Sequence, residues 1–506
     1  MLPARLATLA VLALVLGTLA AVAWQAGGLG ALQAADLAAA RFTVVQALIS
    51  ATLSVALAVP VARALHRRRF PGRGALVSLM GAPFILPAVV AVMGLLAVFG
   101  RAGVVNDALA ALGQPRISIY GAGGVVLAHV FFNLPLATRL LLHGWQAIPS
   151  ERMRLAQSLG FSPKATLRHL ELPMLRATLP GAWLAIFLVC LASFAVALTL
   201  GGGPAATTIE LAIYQAFRFD FDLARAASLG LLQVALCVAA FAVSARIALP
   251  QGFGAGLDRR AVLAPPLGWV LRVQDGVVMG LAAAFLIVPM AAVLLRGLPA
   301  LSGLPVSVWA AAGRSLVVAL AATALTLLLA LPLALAAARQ RRFEWAGTLP
   351  LVASPLVLGT GLFLLLRGFA APATLALPVT VAVNAALALP FALRTLLPAA
   401  RTLQADYDRL AASLGLSGFA RLRLLTLPRL ARPLGFAAGL SAALSMGDLG
   451  VIALFADPTQ ATLPLQLYAL MGAYRMADAA AAASLLMVLS FALFWAFDRL
   501  GSHADA

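Results

Sequence analysis

The chain has 506 residues, of which 63% are hydrophobic and only 10% are charged. Soluble domains carry about 25% charged residues, so this composition excludes a soluble protein and points to an all-α polytopic membrane protein. The net charge of +19 does not indicate a nucleic-acid partner. The arginines gather beside apolar segments and form no stripe with interleaved aromatics, as expected when basic residues set membrane topology.

In chain order, MLPARLATLAVLALVLGTLAAVAW begins like a signal peptide, but the spans behind it favour a retained first helix. Apolar runs long enough to cross a bilayer fall at 6–24, 42–65, 76–99, 119–142, 176–200 and 226–248. A second set falls at 275–296, 309–338, 346–367, 373–397, 431–455 and 477–498, which makes about 12 transmembrane helices. The stretch 250–273 between the sets is rich in Gly, Pro and Arg and reads as a cytoplasmic linker. With the N-terminus inside, 27 of the 36 Lys and Arg lie on the cytoplasmic side, so both termini are expected there. Cys190 and Cys237 sit singly in apolar runs and read as packing residues.

Two short segments interrupt the oily pattern. ERMRLAQSLGFSPKATLRHLELP (151–173) and DYDRLAASLGLSGFARLRLLTLP (406–428) are identical at 13 of 23 positions, at an offset of 255. Upstream, Pro135-x3-Arg139 matches Pro390-x3-Arg394. Downstream, Pro204, Thr208 and Tyr214 match Pro458, Thr462 and Tyr468 at an offset of 254. Residues 1–249 and 274–506 thus read as two tandem six-helix repeats with the same polarity. Such repeats are related by a pseudo-twofold axis along the membrane normal, with the pathway between them.

Each copy reads as a short helix, a turn and a second short helix. Gly160 and Gly415 take the left-handed turn, Ser162 and Ser417 cap the second helix, and Pro173 and Pro428 close the motif before the next span. Leu167, Leu170 and Leu172 supply apolar contacts. A single such loop would read as an amphipathic segment resting on lipid. Two copies at equivalent positions suit docking to a dimeric partner.

The segment resembles the coupling loop of ABC-importer permeases, whose pattern is Glu-Ala-Ala-x3-Gly-x9-Ile-x-Leu-Pro. Here the first copy has Arg154-Leu155-Ala156-x3-Gly160-x9-Leu170-x-Leu172-Pro173, and the second has Arg409-Leu410-Ala411-x3-Gly415-x9-Leu425-x-Leu427-Pro428. Arginine replaces the glutamate in both. The stretches ARALHRRRFPGR (62–73), LAHVFFNLPLATRLLLHGWQAIP (127–149), LGGGPAATTIELAIYQAFRFDFDLARAA (200–227) and SMGDLGVIALF (445–455) resemble the fused two-domain permeases of bacterial thiamine importers. Permeases of iron(III) importers share the architecture and are the alternative. The resemblance implies two type I ABC-importer permease repeats in the inner membrane, with thiamine and its phosphate esters as cargo. It also implies a periplasmic substrate-binding protein and a cytoplasmic ATPase homodimer, which carries the ATP and Mg. In the family the loop seats in a cleft of the ATPase, so Arg154 and Arg409 are expected to face its acidic groups. Glu151, Asp406 and Asp408 lie one turn earlier and are expected to assist.

Lys164, the only lysine, follows Pro163, so the Gly-Lys-Ser/Thr of a phosphate-binding loop is absent and the chain is expected not to be an enzyme. The five histidines (66, 129, 143, 169 and 503) lack zinc spacing, and no cofactor or metal is expected on the chain itself. His129, inside a span, reads as a partner for a neighbouring helix. Asp448 is the clear acid within a span, which is thin support for an ion-driven secondary transporter. At an offset of 254 it aligns with Phe194. An acid and an aromatic facing each other across the axis suit an organic cation in the substrate pathway; the alternative is that Asp448 makes a helix–helix hydrogen bond or serves as a gate. Gly201–Pro204 reads as a tight periplasmic loop. Glu210, Asp220, Asp222 and Asp457 read as solvated loop charges on that face, as contacts to a binding protein or as groups that attract a cation.

Overall fold

A chain in lipid must satisfy its backbone internally, so apolar runs become helices. The computed structural model describes residues 2–27, 32–246, 268–369, 371–455 and 458–503, and every regular element among them is helical. Eleven of these helices are long and apolar enough to cross a membrane, and a bent pair supplies a twelfth. The chain is an all-α polytopic membrane protein.

The elements used below are α1 (Leu2–Ala26), α2 (Ala34–Arg67), α3 (Ala88–Phe99), α4 (Ala122–Gln146), α5 (Ser150–Ser158), α6 (Leu172–Leu191), α7 (Ala195–Leu200), α8 (Ile209–Arg218) and α9 (Leu223–Arg246). The second set is α10 (Trp269–Gly297), α11 (Val306–Arg339), α12 (Arg342–Thr348), α13 (Pro355–Leu366), α14 (Pro372–Ser413), α15 (Ala431–Met446), α16 (Gly450–Phe455), α17 (Leu463–Gly472) and α18 (Met476–His503). Of the linker expected at 250–273, residues 250–267 lie outside the described residues. The remainder leads into α10, which begins at Trp269, ahead of the expected 275.

Several expected spans are broken. The run 76–99 divides into a helix at Arg73–Leu79, a turn at Ala82–Phe84 and α3. Its counterpart divides into α12, a turn at Leu349–Val352 and α13, with a bend of 92°. Pro83 and Pro87 in the first, and Pro350 and Pro355 in the second, lack the N–H a continuous helix needs and restrict the residue before them. The expected span 176–200 breaks between α6 and α7, and 431–455 breaks between α15 and α16. Broken helices in a membrane are tolerated where neighbouring protein covers the freed backbone groups, and these breaks lie inside the bundle.

Structural correspondence between the halves extends beyond the repeated segments. Helices α2 and α11 both run for 34 residues, with Pro60 and Pro332 at the same place in each. Thr43 Oγ1 on α2 accepts from the Ile209 backbone N–H at 2.9 Å, and Ser315 Oγ on α11 accepts from Leu463 N–H at 2.8 Å. These bonds pin the starts of α8 and α17 to their own halves.

The first helix of each half crosses to the other half. Helix α1 packs on α13 and α11, and α10 packs on α3 and α2. Both crossings are made at a glycine. A Cβ on Gly94 of α3 would lie 2.6 Å from the Pro289 carbonyl oxygen of α10, and one on Gly361 of α13 would lie 2.6 Å from the Thr18 carbonyl oxygen of α1. Small residues let membrane helices approach this closely, and van der Waals packing then replaces the hydrophobic drive that lipid cannot supply. The main core accordingly mixes both halves, with Val15, Val92, Leu286 and Val357 all fully or almost fully buried.

Gly94→Ala and Gly361→Ala are therefore expected to destabilise the chain by about 1–3 kcal/mol each, because backbone carbonyls cannot yield as side chains do. Thermal unfolding in detergent reads this. Gly280→Ala, on the same α10 but with open space at its Cβ position, serves as the control and is expected not to destabilise.

Candidate functional site

The two repeated segments lie at the ends of α4 and α14 and share one turn. Gly160 and Gly415 have φ of +66° and +64°, where a side chain would be strained. Phe161 N–H donates to the Ala156 carbonyl at 2.9 Å, and Leu416 N–H to the Ala411 carbonyl at 2.8 Å. This is the six-to-one bond of a glycine-terminated helix. Ala156 and Ala411 are buried under the turn. Glu151, Arg154, Asp406 and Arg409 are exposed, Leu170 and Leu425 are half-buried, and Leu172, Pro173, Leu427 and Pro428 are exposed.

Three local expectations change. The first helix is separate only in the first copy, where Pro149 precedes α5; Gln404 holds that position in the second, and α14 runs unbroken to Ser413. Ser162 Oγ accepts from Ala165 N–H at 3.2 Å, but Ser417 makes no side-chain cap, and Gly418 at φ +52° turns the chain there instead. Pro173 and Pro428 do not close the motif. Each comes after a wide π-turn, Leu167–Glu171 or Leu422–Thr426, in which Leu172 N–H reaches Leu167 O and Leu427 N–H reaches Leu422 O. The wide turn accommodates the proline ring, which would clash with the carbonyl four residues back in a regular helix, so helix runs on beyond each proline.

The exposed face carries a feature the motif spacing does not reveal. Leu155 and Leu159 are 59% and 63% exposed, and Leu410 and Leu414 are 51% and 64% exposed. Residues four apart share a helix face, so each copy presents two leucines beside an exposed arginine, Arg154 or Arg409. Among the described residues neither arginine has an ion pair. Glu151 is solvated; its own backbone N–H at the helix start and the Ser150 hydroxyl hold its carboxyl below the ordinary range. Asp408, expected to assist Arg409, is instead bound within the chain, bridging Arg339 at 3.0 Å and Arg421.

Each segment is tied to the second helix of its own half. In the first, buried Glu171 accepts from Arg63 at 2.6 Å and Arg67 at 3.3 Å, both on α2. In the second, Arg339, which matches Arg67 in the α2/α11 correspondence, reaches Asp408. The arginine is shared and the acid is not, because Thr426 stands where Glu171 would be. Motif reading misses Glu171 for that reason; an acid beside an apolar Leu-Pro is its signal. Arg68 and Asp275, paired at 2.6 Å, join the halves at the same end.

A second candidate region lies inside the bundle, at the breaks. Phe194 precedes α7, and Asp448 lies between α15 and α16. A Cβ on Gly450 would be 3.6 Å from Phe194 Cδ1, 3.7 Å from Asp448 Oδ1 and 3.6 Å from Pro355 Cβ. The two residues aligned by the repeat thus border one spot. Asp448 Oδ1 accepts from Gly450 N–H at 3.1 Å, and the Val451 and Ile452 backbone and the Asn384 amide also hydrogen-bond toward the carboxyl, so it caps α16; Oδ2 itself is buried outside good hydrogen-bond geometry. Asn384 Nδ2 donates to Ser445 Oγ nearby at 3.0 Å. Phe194 meets Tyr214 edge to face at 5.3 Å, and Tyr468, the repeat counterpart of Tyr214, lies close by.

At the opposite end of the bundle from the repeated segments, Asp220 and Asp222 are exposed but engaged with Arg225. That arginine also pairs with buried Asp36 at 2.7 Å. Glu210 is no loop charge: it is fully buried in the first turn of α8. Asp457 lies outside the described residues. His129 is buried with Nδ1 3.3 Å from Ser50 Oγ on α2, a contact between helices as expected.

No family profile matches the chain. Comparison with curated proteins is informative. The chain is 42% identical over 501 residues to the thiamine transport system permease protein ThiP of Brucella abortus, covering 96% of this chain and 92% of that protein. It is 42% identical to the protein of the same name from Salmonella typhimurium over 486 residues, 92% of this chain and 89% of that one. For the Escherichia coli protein the identity is 41% over 486 residues, covering 91% and 88%. Similarity at this level, extending nearly end to end, places the chain in a family: it belongs to the thiamine transport system permease proteins.

Proposed function

We propose that the chain is the permease subunit of an ATP-driven importer in the bacterial inner membrane, and that it moves thiamine from periplasm to cytoplasm by alternating access. The observation that carries the reading is the matched pair of exposed segments on one end of a two-half scaffold. A dimeric ATPase offers two equal clefts, and two equal projections fit them. The sequence has no Gly-Lys-Ser/Thr of a phosphate-binding loop, which supports leaving ATP and Mg to that partner. The arginine excess at the segment-bearing end supports a cytoplasmic orientation for it and for both termini. The opposite face is then left to a periplasmic binding protein.

In this reading Arg154 and Arg409 face carboxylates on the ATPase, and Leu155, Leu159, Leu410 and Leu414 enter its clefts. Ala156, Gly160, Ala411 and Gly415 hold the turn. Leu170, Leu172, Pro173, Leu425, Leu427 and Pro428 form the wide turn that joins it to the next span. When ATP closes the partner dimer, the segments move, and the Glu171 and Asp408 ion pairs pass the motion to α2 and α11. Because α1 and α10 cross between the halves, movement of one half is felt by the other. Phe194 and Asp448 border the path, and thiamine's permanently charged thiazolium ring suits an acid beside an aromatic face.

The joint variant Arg154→Glu, Arg409→Glu is expected to lower ATPase co-purification by at least about tenfold, as for lost charge-assisted contacts at an interface. Undiminished co-purification and uptake would refute the docking role. The cargo is checked by reconstitution: a loaded thiamine-binding protein stimulates ATP hydrolysis and a loaded iron(III)-binding protein does not, whereas the reverse result would reassign the substrate. Asp448→Asn is expected to weaken thiamine uptake while the complex still assembles; normal uptake would remove Asp448 from the path.

A further inference from the structure

Among the described residues, Glu210 is a buried acid that neither the fold nor the docking segments account for. It is completely buried; among the described residues no donor meets its carboxyl oxygens at good hydrogen-bond geometry, and the Ser354 hydroxyl makes only a loose hydrogen bond toward them. Ser354, at the start of α13 in the other half, lies beside it, and the Ser354 hydroxyl accepts from Val357 N–H at 3.2 Å. A buried carboxylate so poorly paired is strongly disfavoured. The helix does not need it. The repeat counterpart of Glu210 is Pro464, also in the first turn of a ten-residue helix, and α17 forms with proline there. Placement in a helix first turn moderates the cost of the charge without providing it a partner.

A second buried acid is only partly paired: the backbone at the start of α16 and the Asn384 amide hydrogen-bond toward the Asp448 carboxyl. Its Oδ2 is buried outside good hydrogen-bond geometry, and its counterpart is Phe194. One acid therefore comes from each half, each where the matching position is apolar. Ser354 beside Glu210 adjoins Pro355, which approaches the same Gly450 position that Asp448 and Phe194 border. Helices α8, α13 and α16 pack on one another there. Tyr214 lies one turn after Glu210 on α8, against Phe194, with Tyr468 close by.

We propose that Glu210 and Asp448, with Phe194, Tyr214 and Tyr468, form a binding site within the permease for an organic cation bearing N–H donors. The aromatic faces and Asp448 take the fixed positive ring, and Glu210 accepts hydrogen bonds from an amine. This rests on the importer reading above and adds that the permease itself, and not only a binding protein, recognises the cargo. The two poorly paired carboxylates are complementary to a cation and leave a neutral ligand of the same shape without its main attraction.

The full chain in lipid nanodiscs, without any binding protein, is titrated with thiamine while its thermal unfolding is recorded. The wild-type chain is expected to be stabilised saturably. Glu210→Gln and Asp448→Asn should each require about tenfold more thiamine for the same shift, and Glu210→Asp should retain part of the response. Without thiamine, Glu210→Gln should unfold at the wild-type temperature or above it, since the amide keeps the shape of the buried acid and has no charge to desolvate. A merely structural Glu210 would instead show a lowered unfolding temperature. Absence of saturable stabilisation in the wild type, or an unchanged response in Glu210→Gln, would overturn the site. Thiamine uptake by the wild-type complex is measured in parallel. Its failure would sink the importer reading, whereas normal uptake with an unresponsive permease sinks only this inference.

Discussion

The architecture depends on two helix crossings made at glycine, α3 on α10 at Gly94 and α13 on α1 at Gly361. Each brings backbone against backbone at a distance no side chain permits. In lipid there is no hydrophobic force to hold two bundles together, so close approach of small residues must do it. The consequence reaches further than cohesion. Because the first helix of each half sits on the other half, the two cannot separate like independent domains. Linked halves of this kind suit the alternating access proposed above.

On this near-symmetric frame the charged groups are distributed without symmetry. Arg67 and Arg339 correspond, yet one meets Glu171 and the other Asp408. The two halves reach the same end, a segment anchored to the second helix, through acids at unrelated positions. A carboxylate near the base of a basic helix is easily replaced by another in reach, because the arginine side chain is long and its fork accepts several approaches. The exposed leucine pairs, by contrast, keep their positions in both copies. Their spacing is bound to the helix period, and whatever covers them meets the same surface twice.

Much of this is legible in the sequence. Hydropathy alone places the spans, and the 255-residue echo locates the turn, with Gly160 and Gly415 left-handed as their setting demands. The alignment of Phe194 with Asp448 puts two residues beside one spot in the bundle. Periodicity does not reveal the breaks or the tertiary partners. An apolar run reads the same whether it is one helix or two halves at 92°, since the bend depends on how neighbours cover the freed backbone. Pro173 reads as a stop because the rule for proline assumes a regular helix, and a π-turn evades that rule. Glu210 reads as a loop residue because three glycines and a proline precede it, and only the packed structure shows that α8 folds back into the bundle.

That misplacement points to a general property of the site. A fold selected for stability alone would fill the position of Glu210 with an apolar residue, as its own second half does with Pro464, and would leave no poorly paired oxygen on Asp448. Burying poorly paired acids costs stability, so these two persist against the interest of the resting structure. Both lie at helix starts, Asp448 at a break and Glu210 in the first turn of α8, where backbone N–H groups lower the cost of a negative charge. The breaks, the poorly paired acids and the crossing helices therefore belong to one arrangement. The glycine contacts join the halves, and Asp448 and Ser354, the neighbour of Glu210, both lie at helix breaks beside that junction.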